Sequence, residues 1–128
     1  MFLHLGHTKL EVFTVARRFV KECYVALVQF PVEERFILSQ QIKRAALSVY
    51  LNIAEGSSRK SQLERKRYYE ISRGSLIEVD AALDVAVDLN YCTQESLKTL
   101  GEEMVKCFKY LSGLINYTTD NAVINKNS

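Results

Sequence analysis

Residues 61–90 read SQLERKRYYEISRGSLIEVDAALDVAVDLN. Ser61 followed by Glu64 has the spacing of a capping box, in which a serine hydroxyl and a glutamate satisfy the first free amides of a helix. Leu63, Tyr68, Ile71, Ser75, Val79, Ala82, Leu83, Ala86 and Leu89 then recur at helical spacing and predict one inward face. Asn90 suits the end of this helix, because Asn tolerates the left-handed backbone conformation. The stretch therefore predicts one long amphipathic helix over 61–90.

Working backwards, Leu38, Ile42, Ala45, Ala46, Val49 and Ile53 form the apolar stripe of a helix over 31–55. Pro31, the only proline, suits its first turn, and Glu33 and Glu34 follow where the helix dipole favours carboxylates. Gly56 is expected to end it in a positive-φ conformation. A first helix is predicted over 9–28, with Val12, Phe13, Ala16, Phe19, Val20, Cys23, Tyr24 and Leu27 facing inward and Thr8 as its N-cap with Glu11 three residues on. A fourth is predicted over 94–118, capped by Thr93, with Leu97, Leu100, Met104, Phe108, Leu111 and Ile115 facing inward. Residues 119–128 read as a polar tail. Four such helices joined by loops of about two to six residues give a single all-α domain over 1–118, an antiparallel up-down-up-down four-helix bundle.

Composition agrees. The chain has 128 residues, 48% of them hydrophobic, with five Gly and one Pro. That length fits one domain, and so few turn formers argue against an all-β chain. No apolar run approaches the roughly 18 residues of a membrane helix. Residues 1–10 lack a basic start followed by a long apolar run, so no secretory signal is expected. Cys23, Cys92 and Cys107 have no CxxC spacing and read as free, partly buried thiols of a reducing cytoplasm. His4 and His7 have no further ligand in reach, so no metal site and no cofactor are expected.

Polar residues intrude where core is expected. Gln41, Ala45, Ser48, Asn52 and Glu55 share one face of the second helix, and Arg67, Ile71, Gly74 and Glu78 share one face of the third, with Ser75 at its edge. A di-metal bundle needs Glu-x-x-His pairs, which this sequence lacks. The stripes are better read as a hydrogen-bond network in which Gln41, Ser48, Asn52 and Ser75 serve one another, fixing helix register or a subunit contact. Gly74 in mid-helix costs about 1 kcal/mol against Ala, which close approach of another helix or chain would offset.

The net charge of +2 hides an asymmetry. Lys43, Arg44, Arg59, Lys60, Arg65, Lys66, Arg67 and Arg73 face only Glu55, Glu64 and Glu70 within 43–73, whereas residues 74–104 hold seven acids and one base, Lys98. Tyr68 and Tyr69 follow the cluster. Cations beside aromatics suit RNA or single-stranded DNA, through phosphate neutralisation and base stacking. Alternatively, the basic part of one subunit meets the acidic part of another, head to tail. No P-loop, GxGxxG, HExxH or GxSxG occurs, and neither histidine has a nucleophile partner, so no catalytic residues are assigned.

Phe30-Pro31-x-x-Glu34, Gln41-Ile42-Lys43-Arg44-Ala45-Ala46-x-Ser48, Asn52-Ile53-Ala54-Glu55-Gly56 and Arg73-Gly74-Ser75-x-x-Glu78 occur in this order. Together they closely resemble the bacterial four-helix bundle family named after the protein encoded in 23S rRNA intervening sequences, over about Leu10 to Tyr117. The resemblance implies a bundle that assembles as a ring-like homopentamer. It also implies similarity to the accessory protein of diversity-generating retroelements, which is associated with reverse transcriptase and nucleic acid. The motif positions are Gln41, Arg44, Ser48, Asn52, Glu55, Gly56, Gly74, Ser75 and Glu78. The resemblance brings no catalytic residues.

The expected function is therefore that of a non-enzymatic, oligomeric, cytoplasmic bundle. It would bind nucleic acid or a nucleic-acid-processing partner through Lys43, Arg44, Arg59, Lys60, Arg65, Lys66 and Arg67, with no membrane involvement. The alternative is a protein–protein interaction module that makes no contact with nucleic acid.

Overall fold

The computed structural model describes residues 1–5 and 10–127, with side chains through residue 120. Four helices run along the chain: α1 (Glu11–Leu27), α2 (Leu38–Ser57), α3 (Gln62–Asp88) and α4 (Lys98–Asn127). Each packs on its sequence neighbours and α4 closes back on α1, so α1 and α3 lie across a diagonal. This is the predicted antiparallel four-helix bundle. None of the described helices is long and apolar enough to cross a membrane.

Two helix ends follow the local chemistry that the sequence predicts. Ser61 Oγ accepts from the Glu64 amide at 3.3 Å and caps α3. Asn90 has φ 63°, and the amides of Asn90 and Tyr91 donate to the carbonyls of Val87 and Ala86, a Schellman closure. Thr93 Oγ1 accepts from the Ser96 amide at 3.0 Å while Ser96 Oγ accepts from the Thr93 amide at 3.1 Å. This reciprocal pair closes a turn over 93–96; the fourth helix starts at Lys98 rather than at the predicted 94, so Thr93 orders the turn before α4 instead of capping the helix. Thr8, the expected cap of the first helix, and His7 lie outside the described residues.

Other boundaries differ from the sequence expectation. The second helix starts at Leu38 rather than 31. Pro31 opens a separate 3-10 turn, Val32–Glu34, and Ile37 at φ −119°, ψ −96° breaks the path between them. Glu34 makes this geometry possible: Oε2 accepts from the Leu38 amide at 3.2 Å, and Oε1 accepts from the Tyr91 hydroxyl at 2.7 Å. One carboxylate thus caps α2 and ties it to the α3–α4 connection. At the other end, α4 continues past Thr118, through the segment expected as a tail, to Asn127. Thr118 is 2% exposed, its hydroxyl donating to the Leu114 and Ile115 carbonyls.

The core runs along all four helices, with Phe19, Ile42, Ile53, Leu76 and Leu111 among its most enclosed side chains. The predicted faces of α1 and α2 are mostly buried, although Tyr24 reaches the surface. In α3 the inward residues are Tyr69, Ser72, Leu76, Val79, Leu83 and Ala86. The expected Leu63, Ile71 and Leu89 are 67%, 43% and 49% exposed. In α4, Cys107 occupies the core where Phe108 was expected, and Phe108 lies at the surface with the Arg73 guanidinium over its ring. Cys23, Cys92 and Cys107 are free and buried. Burial pushes the Cys23 and Cys107 thiols up to about 12, so both stay protonated near neutrality.

Candidate nucleic-acid interface

The predicted polar stripes join α2 to α3. Gln41 Nε2 donates to Glu78 Oε1 at 3.0 Å. Ser48 and Ser75 share a hydroxyl–hydroxyl bond of 2.8 Å, and Asn52 Nδ2 donates to both the carbonyl and the hydroxyl of Ser48 at 2.9 Å. The network expected among Gln41, Ser48, Asn52 and Ser75 is therefore a ladder on the outer side of the α2–α3 seam. Two bonds the sequence did not suggest reinforce it. Ser72, fully buried, donates to the Val49 carbonyl at 2.7 Å, and Ser57 pairs with the Tyr69 hydroxyl at 3.0 Å. Both lie in the first half of α3, where the inward Tyr69, Ser72 and Leu76 each stand one position on from the predicted Tyr68, Ile71 and Ser75, whereas the predicted Val79, Leu83 and Ala86 are buried in its second half.

The two motif glycines behave oppositely to expectation. Gly56 has no positive φ; it lies inside α2 and is buried. A Cβ there would stand 2.7 Å from Tyr68 Cβ and 3.1 Å from Tyr69 Cε1. Its role is close approach of α2 to α3, not chain reversal. Gly74 is exposed, with nothing within 4 Å of a Cβ placed there. The close approach expected at Gly74 is absent within the chain, and nothing in the structure explains this glycine.

The tight α2–α3 turn gathers five of the seven predicted cations at one end of the bundle. Arg59 Nη2 pairs with Glu55 Oε1 and donates to the Tyr68 hydroxyl at 2.9 Å, with its guanidinium 5.0 Å from the Tyr68 ring centroid. Arg65 Nε donates to the Arg59 carbonyl at 2.6 Å and clips the turn shut. Lys66 Nζ lies 3.7 Å from Glu70 Oε1, a surface pair of small energetic consequence. Lys60 and Arg67 are exposed and form no ion pair among the described residues. Arg44 is exposed too, but it and Lys43 precede Arg59 by fifteen residues or more, over about 20 Å along α2. Lys43 turns towards α1, with Nζ 5.3 Å from the Tyr24 ring centroid. The seven cations are thus not one surface: five form a corner and two stand apart.

The aromatic half of the expected pattern is committed elsewhere. Tyr69 is 4% exposed in the core, and Tyr68 is half-buried beneath Arg59. Neither ring is a free stacking platform, so the corner offers charge to a phosphate backbone rather than faces to bases. Among the described residues, no three His, Cys, Asp or Glu side chains are grouped to hold a metal ion.

A family model described as 23S rRNA-intervening sequence protein matches residues 8–113. The fold is similar to the crystal structure of a protein of unknown function from the S23 ribosomal protein family of Bacteroides thetaiotaomicron VPI-5482. The TM-score is 0.72 at 22% identity, covering 81% of this chain and 97% of that one. No curated protein matches the chain. The motif ladder of α2 and α3 lies inside the matched span, and the chain belongs to the 23S rRNA-intervening sequence protein family.

Proposed function

We propose that this protein is a non-enzymatic, oligomeric bundle that binds nucleic acid through the corner formed by the end of α2 and the start of α3. The carrying observation is the placement of Lys60 and Arg67, exposed and without an ion pair among the described residues, beside Lys66, Arg65 and Arg59 on one turn. Such a corner neutralises phosphates and reads no sequence, so affinity falls steeply with salt.

The test uses single-stranded RNA at two salt concentrations. The variant is Lys60→Ala/Lys66→Ala/Arg67→Ala, which leaves the structural clips of Arg59 and Arg65 in place. Affinity is expected to fall more than tenfold, and the log–log salt slope to shrink by about two, since each lost phosphate contact removes about 0.7 for a single strand. Absence of salt-dependent RNA binding by the folded wild-type protein overturns the proposal. So does a variant that binds as well as wild type.

A further inference from the structure

The seam between α3 and α4 is open where the α2–α3 seam is closed. A groove of about 1190 Å³ lies between the second half of α3 and the first half of α4. Leu83, Val87, Leu97 and Met104 form its apolar floor. A second cavity of about 230 Å³ shares Asp80, Met104 and Val105 with the groove and extends it over Ile77 and Phe108. Ile77 and Val105 are each 54% exposed and Phe108 is 41% exposed, so apolar side chains rim a trough that the chain itself leaves uncovered. Gly101 borders the groove in the first turns of α4, and a Cβ placed there meets nothing within 4 Å. Glycine weakens a helix relative to alanine. What glycine gives here is room, at the point where a guest chain in the groove comes nearest to α4.

The groove is also charged. Asp80, Asp84 and Asp88 line it from α3 at one-turn intervals, and Glu95 and Glu102 line it from the α4 side. All five acids are exposed, and none forms an ion pair among the described residues. Only two cations, Lys98 and Lys106, are in the lining, and Lys106 Nζ already lies 3.8 Å from Glu103 Oε1. Negative charge therefore stands unneutralised around an apolar floor. Nucleic acid and anionic lipid are poor occupants, because the acids repel their phosphates. A metal ion is a poor occupant too, since no three His, Cys, Asp or Glu side chains are grouped to hold one among the described residues.

We propose that the α3–α4 groove binds a basic amphipathic helix of a different protein. Charge complementarity sets the cations of the guest, and the apolar floor sets its inner face. A helix laid along the groove has the same rise as α3, so cations one turn apart on the guest meet Asp80, Asp84 and Asp88 in register. Its apolar stripe then covers Ile77, Val105 and Phe108, which water otherwise covers. The site is separate from the basic corner: Asp80 follows Arg67 by thirteen residues, about 20 Å along α3. The groove does not depend on the corner, and a protein partner and a nucleic acid fit on the same chain together.

The probe is a synthetic peptide of about 18 residues, with Leu along one helical face and Lys on the other, long enough to span the groove. One control peptide has the same composition in scrambled order, and another has Glu in place of every Lys. Fluorescence anisotropy of the labelled peptides is followed as the full chain is added. Wild type is expected to bind the amphipathic Lys peptide at least tenfold more tightly than the scrambled one, and not to bind the Glu peptide. Asp80→Asn/Asp84→Asn/Asp88→Asn, isosteric changes at exposed positions, is expected to lose more than tenfold in affinity. Gly101→Leu is expected to block the groove while its urea midpoint stays at or above the wild-type value, because Leu is the better helix former. Lys60→Ala/Lys66→Ala/Arg67→Ala is expected to lose RNA and keep the peptide, so the corner and the groove fail separately. The proposal is overturned if wild type does not distinguish the amphipathic peptide from the scrambled one, or if either groove variant binds it as wild type does. It is also overturned if either folded groove variant has a lower mass in solution than wild type, since a second copy of this chain then occupies the groove.

Discussion

α3 has two flanks, and they are built on different principles. Towards α2 it presents Ser72, Ser75 and the start of its first turns, against Val49, Ser48 and Gly56. Small side chains let two helix axes approach, and the hydroxyls then find partners across a short gap. Towards α4 it presents Ile77, Asp80, Leu83, Asp84 and Val87, and the seam stays open as a groove. One helix therefore carries a closed, hydrogen-bonded seam on one side and an unfilled apolar trough on the other. A closed seam sets register within the chain; an open one is a surface for something else. Substitutions along α3 are expected to separate these roles.

The largest effect is expected at Gly56. A Cβ added there must stand 2.7 Å from Tyr68 Cβ, a backbone-anchored atom that cannot swing aside. Forcing a methyl group into a packed seam costs about 1–3 kcal/mol, and the better helix propensity of Ala returns at most about 1 kcal/mol. Gly56→Ala is therefore expected to lower stability by about 1–2 kcal/mol net. A fall in the urea midpoint at unchanged slope would report it. An unchanged midpoint would mean that the α2–α3 seam is looser than its hydrogen bonds imply.

Ser72→Ala comes next. The hydroxyl is fully buried and donates to the Val49 carbonyl at 2.7 Å, so its removal deletes one cross-helix bond and leaves a slightly larger apolar void. The expected loss is about 1 kcal/mol, the usual net worth of one such bond. Equilibrium urea unfolding of the variant measures it. A gain in stability would show that the seam is held by packing alone and that the hydroxyl adds only a desolvation cost.

The same contrast explains which parts of the architecture were legible in the sequence. Helix number, the Ser61 cap and the left-handed Asn90 are local features, each written within three or four residues, and the structure holds all of them; Thr93 bonds as a cap would, but to a turn that precedes α4. The inward face of α3 was legible in its second half, where the predicted Val79, Leu83 and Ala86 are buried, and not in its first. In the first half, apolar residues at Leu63 and Ile71 suggested a face one residue away from the true one, and a buried serine at 72 carried no hydrophobic signal. Only the positions of α2 and α4 select between two such faces. The site divides the same way. The corner cations of 59–67 are close in sequence and stay close in space. Lys43 and Arg44 were grouped with them by charge alone, and the rise along α2 separates them. That Tyr68 is taken by Arg59 depends on the α2–α3 turn closing, which no periodicity records.

Gly74 makes the smallest and most discriminating comparison, because it lies on the same helix as the seam residues but faces away from both flanks. A Cβ there meets nothing within 4 Å, and its backbone is ordinary helix. Gly74→Ala is therefore expected to stabilise the folded chain by about 0.5–1 kcal/mol, the propensity difference for an exposed helical site. The sign is opposite to that at Gly56 for the same chemical change. The measurement has two readouts, the urea midpoint and the mass in solution. If no neighbouring chain packs on this face of α3, the midpoint rises and the mass stays at the wild-type value. If the variant instead loses assembly, a neighbouring chain must pack against Gly74. The outer face of the α2–α3 ladder is then where subunits meet.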